Sequence, residues 1–187
     1  MTRTITDPDV RLLAGIAGTI EGDFPLNEDW VGSPFLWIKQ RPSRQVGKVG
    51  EMLVAGWLAA KNMSVAPSPD SEADRIVNGR RVEIKFSTRW KNGVYKFQQL
   101  RDQRYEFVIC LGLCPFDAHC WAIPKDEVLR RWRSNDGIHP QHGGRDGTDT
   151  AWLSIDVDQP PSWLSEFGGS LAEAFAVIKG SIQAEGR

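Results

Sequence analysis

The segment from Asp74 to Lys85 sets two carboxylates and one ammonium group around a tight turn. Asn78-Gly79 between the β-branched pair Ile76-Val77 and the run beginning at Val82 is a strong hairpin signal, because a type I′ turn needs positive φ at both central residues. With Asn78 and Gly79 at the turn, Val77 faces Arg80, Ile76 faces Arg81, Arg75 faces Val82 and Asp74 faces Glu83. Opposed residues project from one face of a sheet, and Lys85, two positions after Glu83, joins Asp74 and Glu83 there. Val77, Val82, Ile84 and Phe86 fall on the other face and read as core. Like charges directly opposite each other destabilise a hairpin. This pair therefore calls for a compensating positive charge, and a divalent cation is the usual one.

The elements that must carry these groups follow from local pattern. Asp7 and Pro8 start a short helix to Ile20, and residues 21–42 form an aromatic-rich arm containing Phe24, Trp30, Phe35 and Trp37. Ser43 caps a long helix to about Asn62, with Val46, Leu53, Val54, Trp57 and Leu58 at helical spacing. Glu51 shares a face with Val54, Ala55 and Leu58, so it sits at the edge of the buried stripe, where a carboxylate usually has a partner. Short strands are predicted over 63–66, 73–77 and 81–87, then a helix over 96–103 and buried strands over 105–113 and 119–123. Pro124 opens a further helix, residues 134–150 form a polar Gly-rich loop, 151–157 a last strand and 171–182 a final amphipathic helix.

In order and motif, residues 43–124 resemble the PD-(D/E)xK nuclease superfamily, and most of all its type II restriction endonucleases. Asp74 and Glu83-Ile84-Lys85 match the motif, Gly47-Lys48-Val49-Gly50-Glu51 matches the upstream helix that carries a glutamate, and Gln98 and Gln99 fall in the segment after the motif. The resemblance implies an α/β (α+β) fold with a restriction-endonuclease-like core, a central mixed β-sheet flanked by helices, in the order αβββαβ. It also implies phosphodiester hydrolysis with Mg²⁺ as cofactor. Asp74, Glu83 and the Ile84 carbonyl would ligate the metal, and Lys85 would orient the attacking water and offset developing charge. Glu51 would serve a second metal or its water, and Gln98 or Gln99 would position the backbone or the attacking water. Pro69-Asp70 matches the literal "PD" better than Ala73-Asp74 does, yet the hairpin register favours Asp74.

The 187 residues carry 23 Lys and Arg against 24 Asp and Glu, so no global basic charge marks a nucleic-acid partner. Local charge does. Arg44, Lys48, Arg89, Lys91, Lys96 and Arg101 flank the motif with Trp90 among them, and Gln141, His142 and Arg145 in the polar loop suit base edges. The expected partner is double-stranded DNA, cut by a homodimer that uses the N-terminal arm or the last helix as its interface. The expected layout is a single nuclease domain over 1–187, with an arm over 1–42, a catalytic core over 43–124 and a C-terminal portion over 125–187. The chain has no apolar run of membrane-spanning length and no signal-peptide pattern at its N-terminus, so a cytoplasmic location is expected. Cys110, Cys114 and Cys120 match no zinc spacing and read as core thiols, and the three histidines suggest no triad. Two other activities fit the same residues: a structure-specific repair or junction-resolving nuclease, and a non-catalytic DNA-binding module.

Overall fold

The computed structural model describes residues 7–21, 28–141 and 149–183. In chain order the helices are α1 (Pro8–Glu21), α2 (Leu36–Lys39), α3 (Ser43–Ala60), α4 (Lys125–Ser134) and α5 (Leu171–Gln183). The strands are β1 (Val65–Pro67), β2 (Arg75–Val77), β3 (Arg80–Thr88), β4 (Val94–Leu100), β5 (Phe107–Leu113), β6 (Ala118–Pro124), β7 (Ile138–Pro140), β8 (Ala151–Asp156) and β9 (Gly168–Ser170). Short 3-10 helices lie over Glu28–Trp30 and Ser162–Phe167.

A six-stranded sheet runs β1-β2-β3-β5-β6-β9. β3 and β5 are parallel and the other neighbours antiparallel, so the sheet is mixed. The β2–β3 hairpin has the expected register, with Val77 opposite Arg80 and Arg75 opposite Val82, and Asn78 and Gly79 have φ of 47° and 87°. One face of this sheet packs under α3 and α5, joining Val82, Ile84, Ile109 and Leu111 to Val54, Leu58, Ala174 and Ile178. The other face meets a three-stranded antiparallel sheet, β4-β8-β7, through Tyr95, Phe97, Leu153 and Ile155 against Val108, Cys110, Trp121 and Ile123. The central mixed sheet flanked by helices is thus present as expected.

Residues 96–103 depart from expectation. The sequence predicts a helix there, whereas most of the segment belongs to β4, which begins at Val94. Tyr95 and Phe97 alternate with Lys96, the period of a half-buried strand, and both aromatics are fully buried against the six-stranded sheet. The Gln98-Gln99 pair breaks that alternation because it forms a bulge. The register against β8 shifts between Phe97 and Leu100, and Gln99 takes a φ of 57°. Smaller differences occur at element ends. Pro42 rather than Ser43 holds the cap position of α3, and the polar loop over 134–150 contains β7. In the arm, Trp30 and Ile38 are buried against Leu113, whereas Trp37 is largely exposed. Cys110, Cys114 and Cys120 are free and buried, as read.

Candidate active site

β3 is the strand around which the site is built. Its even positions, Val82, Ile84 and Phe86, turn toward α3, and its odd positions, Glu83, Lys85 and Ser87, turn toward the second sheet. Glu83 is only 5% exposed, and its Oε1 accepts an ion pair from Lys85 Nζ at 2.7 Å. β2 stops at Arg75, and from there the Asp74 side chain takes over the hydrogen bonding of the missing strand. The Asp74 N–H donates to the Val82 carbonyl at 3.0 Å, and Oδ2 accepts the Ile84 N–H at 2.7 Å. The Ile84 carbonyl projects toward the same unpaired edge, as a residue's N–H and C=O do in a strand.

An open cleft of about 660 Å³ runs along this edge. Glu51, Asp74, Ile84, Lys85, Gln98 and Gln99 line it together, so α3, the β2–β3 hairpin and the β4 bulge converge on one place. Lys39, Arg41, Arg44, Trp90 and Lys96 line the same cleft. Lys96 Nζ stands 4.3 Å from the Trp90 ring centre and 5.1 Å from that of Trp152.

The acids are strained electrostatically. Burial pushes the Asp74 carboxyl above the usual carboxylate range, and the Glu51 charge adds to the shift, although the Ile84 N–H, Lys85 and Arg75 pull the other way. Burial pushes Glu83 up as well; Lys85 opposes the shift and Asp74 reinforces it. Both carboxylates are thus disfavoured in their ionised forms, first by desolvation and then by a neighbouring acid, Glu51 for Asp74 and Asp74 for Glu83.

Asp70, the competing match to the motif, is elsewhere. Its two oxygens take a bidentate pair from Arg81, at 2.8 Å each, and Arg104 lies 3.9 Å away. Asp70 is therefore part of a surface ion-pair group, and Asp74 lies in the cleft. Several basic residues also have local duties. Lys48 pairs with Glu51 at 3.0 Å, and Arg89 with Asp158 at 3.7 Å. Lys91 is exposed in the turn between β3 and β4, and Arg101 is near enough to Glu83 to favour its ionised form. Gln141 accepts the Gln99 N–H at 2.9 Å, which ties β4's bulge to the segment after β7. His142 and Arg145 lie outside the described residues.

Two residues at the site escaped sequence reasoning. Arg75 was assigned a place opposite Val82 and no role. Its Nη1 donates to the Asp74 carbonyl at 2.7 Å and its Nη2 lies 3.3 Å from Glu51 Oε2. Position on the α3 face was the available signal, since a guanidinium there must find an acid on that helix. Tyr105 is the second. Its hydroxyl is the one buried side-chain polar atom without a hydrogen-bond partner among the described residues, and the Glu83 charge helps burial to raise its pKa.

The donor set suits a hard cation. Mg²⁺ prefers oxygen ligands and is commonly held by one or two carboxylates with several waters. Asp74 and the Ile84 carbonyl offer such oxygens along the cleft, whereas Glu83, buried and paired to Lys85, does not itself line it and would add its carboxylate from beside Lys85. Among the described residues, no group of three or more His, Cys, Asp or Glu side chains stands ready to hold a metal. Any such ion would rely on the carbonyl and waters to complete its shell.

No protein-family model matches the chain, and no curated protein does. Among solved structures, the chain is similar to a bacterial homing endonuclease, I-Ssp6803I, with a TM-score of 0.50 and 12% identity, over 78% of this chain and 99% of that one. The likeness is one of fold, and it agrees with a restriction-endonuclease-like core.

Proposed function

We propose that the chain is a Mg²⁺-dependent endodeoxyribonuclease that hydrolyses phosphodiester bonds in double-stranded DNA, in the manner of a type II restriction enzyme. One observation carries this reading: Glu51, Asp74, Lys85 and the Gln98-Gln99 pair, drawn from three separate elements, line one cleft with Arg41, Arg44 and Lys96. The fold shared with a homing endonuclease supports it.

Asp74, Glu83 and the Ile84 carbonyl would hold Mg²⁺, which when bound polarises a phosphate oxygen and supplies a nucleophile at neutral pH. The chain's own groups do the rest. The Ile84 N–H fixes the Asp74 carboxylate, and Glu83 holds the Lys85 ammonium at 2.7 Å. Lys85, so held, orients the attacking water and stabilises charge on the phosphate as it develops. Gln98 and Gln99, both exposed on the bulge, would position the DNA backbone. Arg44, Lys96 and Trp90 would contact phosphate and sugar, giving affinity rather than sequence choice. Lys48, Arg89, Lys91, Arg101 and Gln141 form the outer part of that surface in this reading. A homodimer would bring one cleft to each strand.

The test is incubation of purified protein with phage and plasmid DNA, in Mg²⁺ or EDTA, beside a Lys85→Ala variant. Discrete fragments that require both Mg²⁺ and Lys85 are expected. Cleavage of branched DNA alone would shift the assignment to a structure-specific nuclease. Binding without cleavage of any substrate would leave a DNA-binding module.

A further inference from the structure

The Glu51 carboxylate stands beside the motif and yet is already engaged. Lys48 Nζ, at 3.0 Å, and Arg75 Nη2, at 3.3 Å, converge on the same oxygen, Oε2. The two cations differ in kind. The Lys48 side chain is 62% exposed and its pair is worth little, whereas the Arg75 side chain is 15% exposed and Glu51 is 21% exposed. Arg75 is also anchored from its other nitrogen, through Nη1 to the Asp74 carbonyl. A planar guanidinium held at two points has little freedom to swing aside.

The acids differ in what holds them. Two cations, Arg75 and Lys48, converge on the Glu51 carboxylate, whereas Lys85 alone is ion-paired to Glu83 and the Asp74 carboxylate is held by the Ile84 N–H. A cation entering beside Glu51 would have to displace a partly buried guanidinium that is also anchored to the Asp74 carbonyl. Mg²⁺ gives up its own waters reluctantly, so it competes poorly for such an oxygen.

We propose that Arg75 is a positioning residue that reserves Glu51 as a brace for the Asp74 strand, so that the cleft takes one divalent cation, on Asp74 and Glu83. This rests on the nuclease reading above and deepens it. Glu51 then acts through Arg75, by fixing the backbone that presents Asp74, and is not a ligand.

The experiment counts bound Mn²⁺ by electron paramagnetic resonance and measures its affinity by calorimetry, on the full chain without DNA. Wild type is expected to bind one Mn²⁺. Glu51→Gln should keep that one ion with an affinity within about threefold of wild type, since no ligand is removed and the glutamine oxygen can still accept from Arg75, so the brace is weakened but kept; a tenfold change equals about 1.4 kcal/mol. Asp74→Asn should weaken the site by tenfold or more. Arg75→Gln, which frees Glu51, should gain a second Mn²⁺, and Arg75→Lys should restore a count of one. Two ions in wild type, or a loss of tenfold or more in Glu51→Gln, would overturn the proposal and leave the nuclease reading standing. Absence of Mn²⁺ binding in every variant would overturn both. Because wild type and Glu51→Gln decide the matter, poor folding of the Arg75 variants would not protect it.

Discussion

The proposed chemistry rests on two acids whose surroundings disfavour their charge. Burial raises both the Asp74 and the Glu83 carboxyl above their ordinary values. Folded Asp74 and Glu83 therefore hold protons that the unfolded chain has released, and between the ordinary and raised values stability falls as pH rises. Their contribution is fully present below the ordinary carboxylate range and is lost as pH climbs through the raised values. Glu83→Gln is thus expected to raise the melting temperature at pH 8 and to have little effect near pH 4, while abolishing cleavage; a melting series across pH checks this. A divalent cation at the proposed site would work in the opposite direction. It would bind the ionised acids and stabilise the folded state by mass action. The rise in melting temperature caused by Ca²⁺ should be large at pH 8 and vanish as Asp74 and Glu83 take up protons. A rise that is the same at both pH values would place the bound ion elsewhere.

At the scale of elements, the site depends on how closely α3 approaches β3. Gly50 faces Phe86, and a Cβ at that position would overlap the Phe86 side chain. The next residue is Glu51, so the close approach that Gly50 permits also brings Glu51 to the Arg75–Asp74 edge. Gly50→Ala is expected to cost about 1–3 kcal/mol through overpacking, read by urea unfolding, and to lower activity by moving α3 outward. Gly56, on the same helix, has nothing within 4 Å of a built Cβ. Gly56→Ala should therefore gain about 0.5–1 kcal/mol from helix propensity. The contrast separates packing from propensity within one helix. These elements were legible in the sequence to different degrees. The hairpin could be read because Asn78-Gly79 fixes its turn, and register then selected Asp74 over Asp70. β4 was misread because the bulge at Gln98-Gln99 interrupts the period-two pattern, leaving Phe97 and Leu100 at a helical spacing. The Arg75–Glu51 pair was hidden because it joins a strand to a helix across a packing interface, a contact that local pattern does not encode.

For the whole molecule, near-zero net charge means that any affinity for DNA must come from one face. If the cleft binds duplex, affinity should fall with salt in proportion to the phosphates contacted there. Arg44→Ala is expected to reduce the slope of log affinity against log salt by about 0.9, with sequence preference unchanged. An unchanged slope would remove Arg44 from the proposed interface. The proposed homodimer belongs to this scale as well. The apolar face of α5 is used within the chain, with Ala174 and Ile178 fully buried. On α1, by contrast, Val10, Leu12, Leu13 and Ile16 are all largely exposed. Helices of such length are marginal in water without a packing partner. If α1 supplies the dimer contact, sedimentation equilibrium should find a dimer for wild type and a monomer for Leu13→Glu.

The hydrogen bond from the Ile84 N–H to Asp74 Oδ2 has a spectroscopic consequence. Most amides of a central strand bond to a neighbouring carbonyl, whose charge does not change. This one bonds to a titratable oxygen, so its proton chemical shift reports the state of that oxygen directly. Protonation of Asp74 would weaken the bond and move the Ile84 amide resonance upfield. A cation drawing on the same carboxylate would shift it in its own way. A single backbone signal thus serves as a built-in gauge of whether the proposed metal edge is empty, protonated or occupied, and it can be read before any substrate is known.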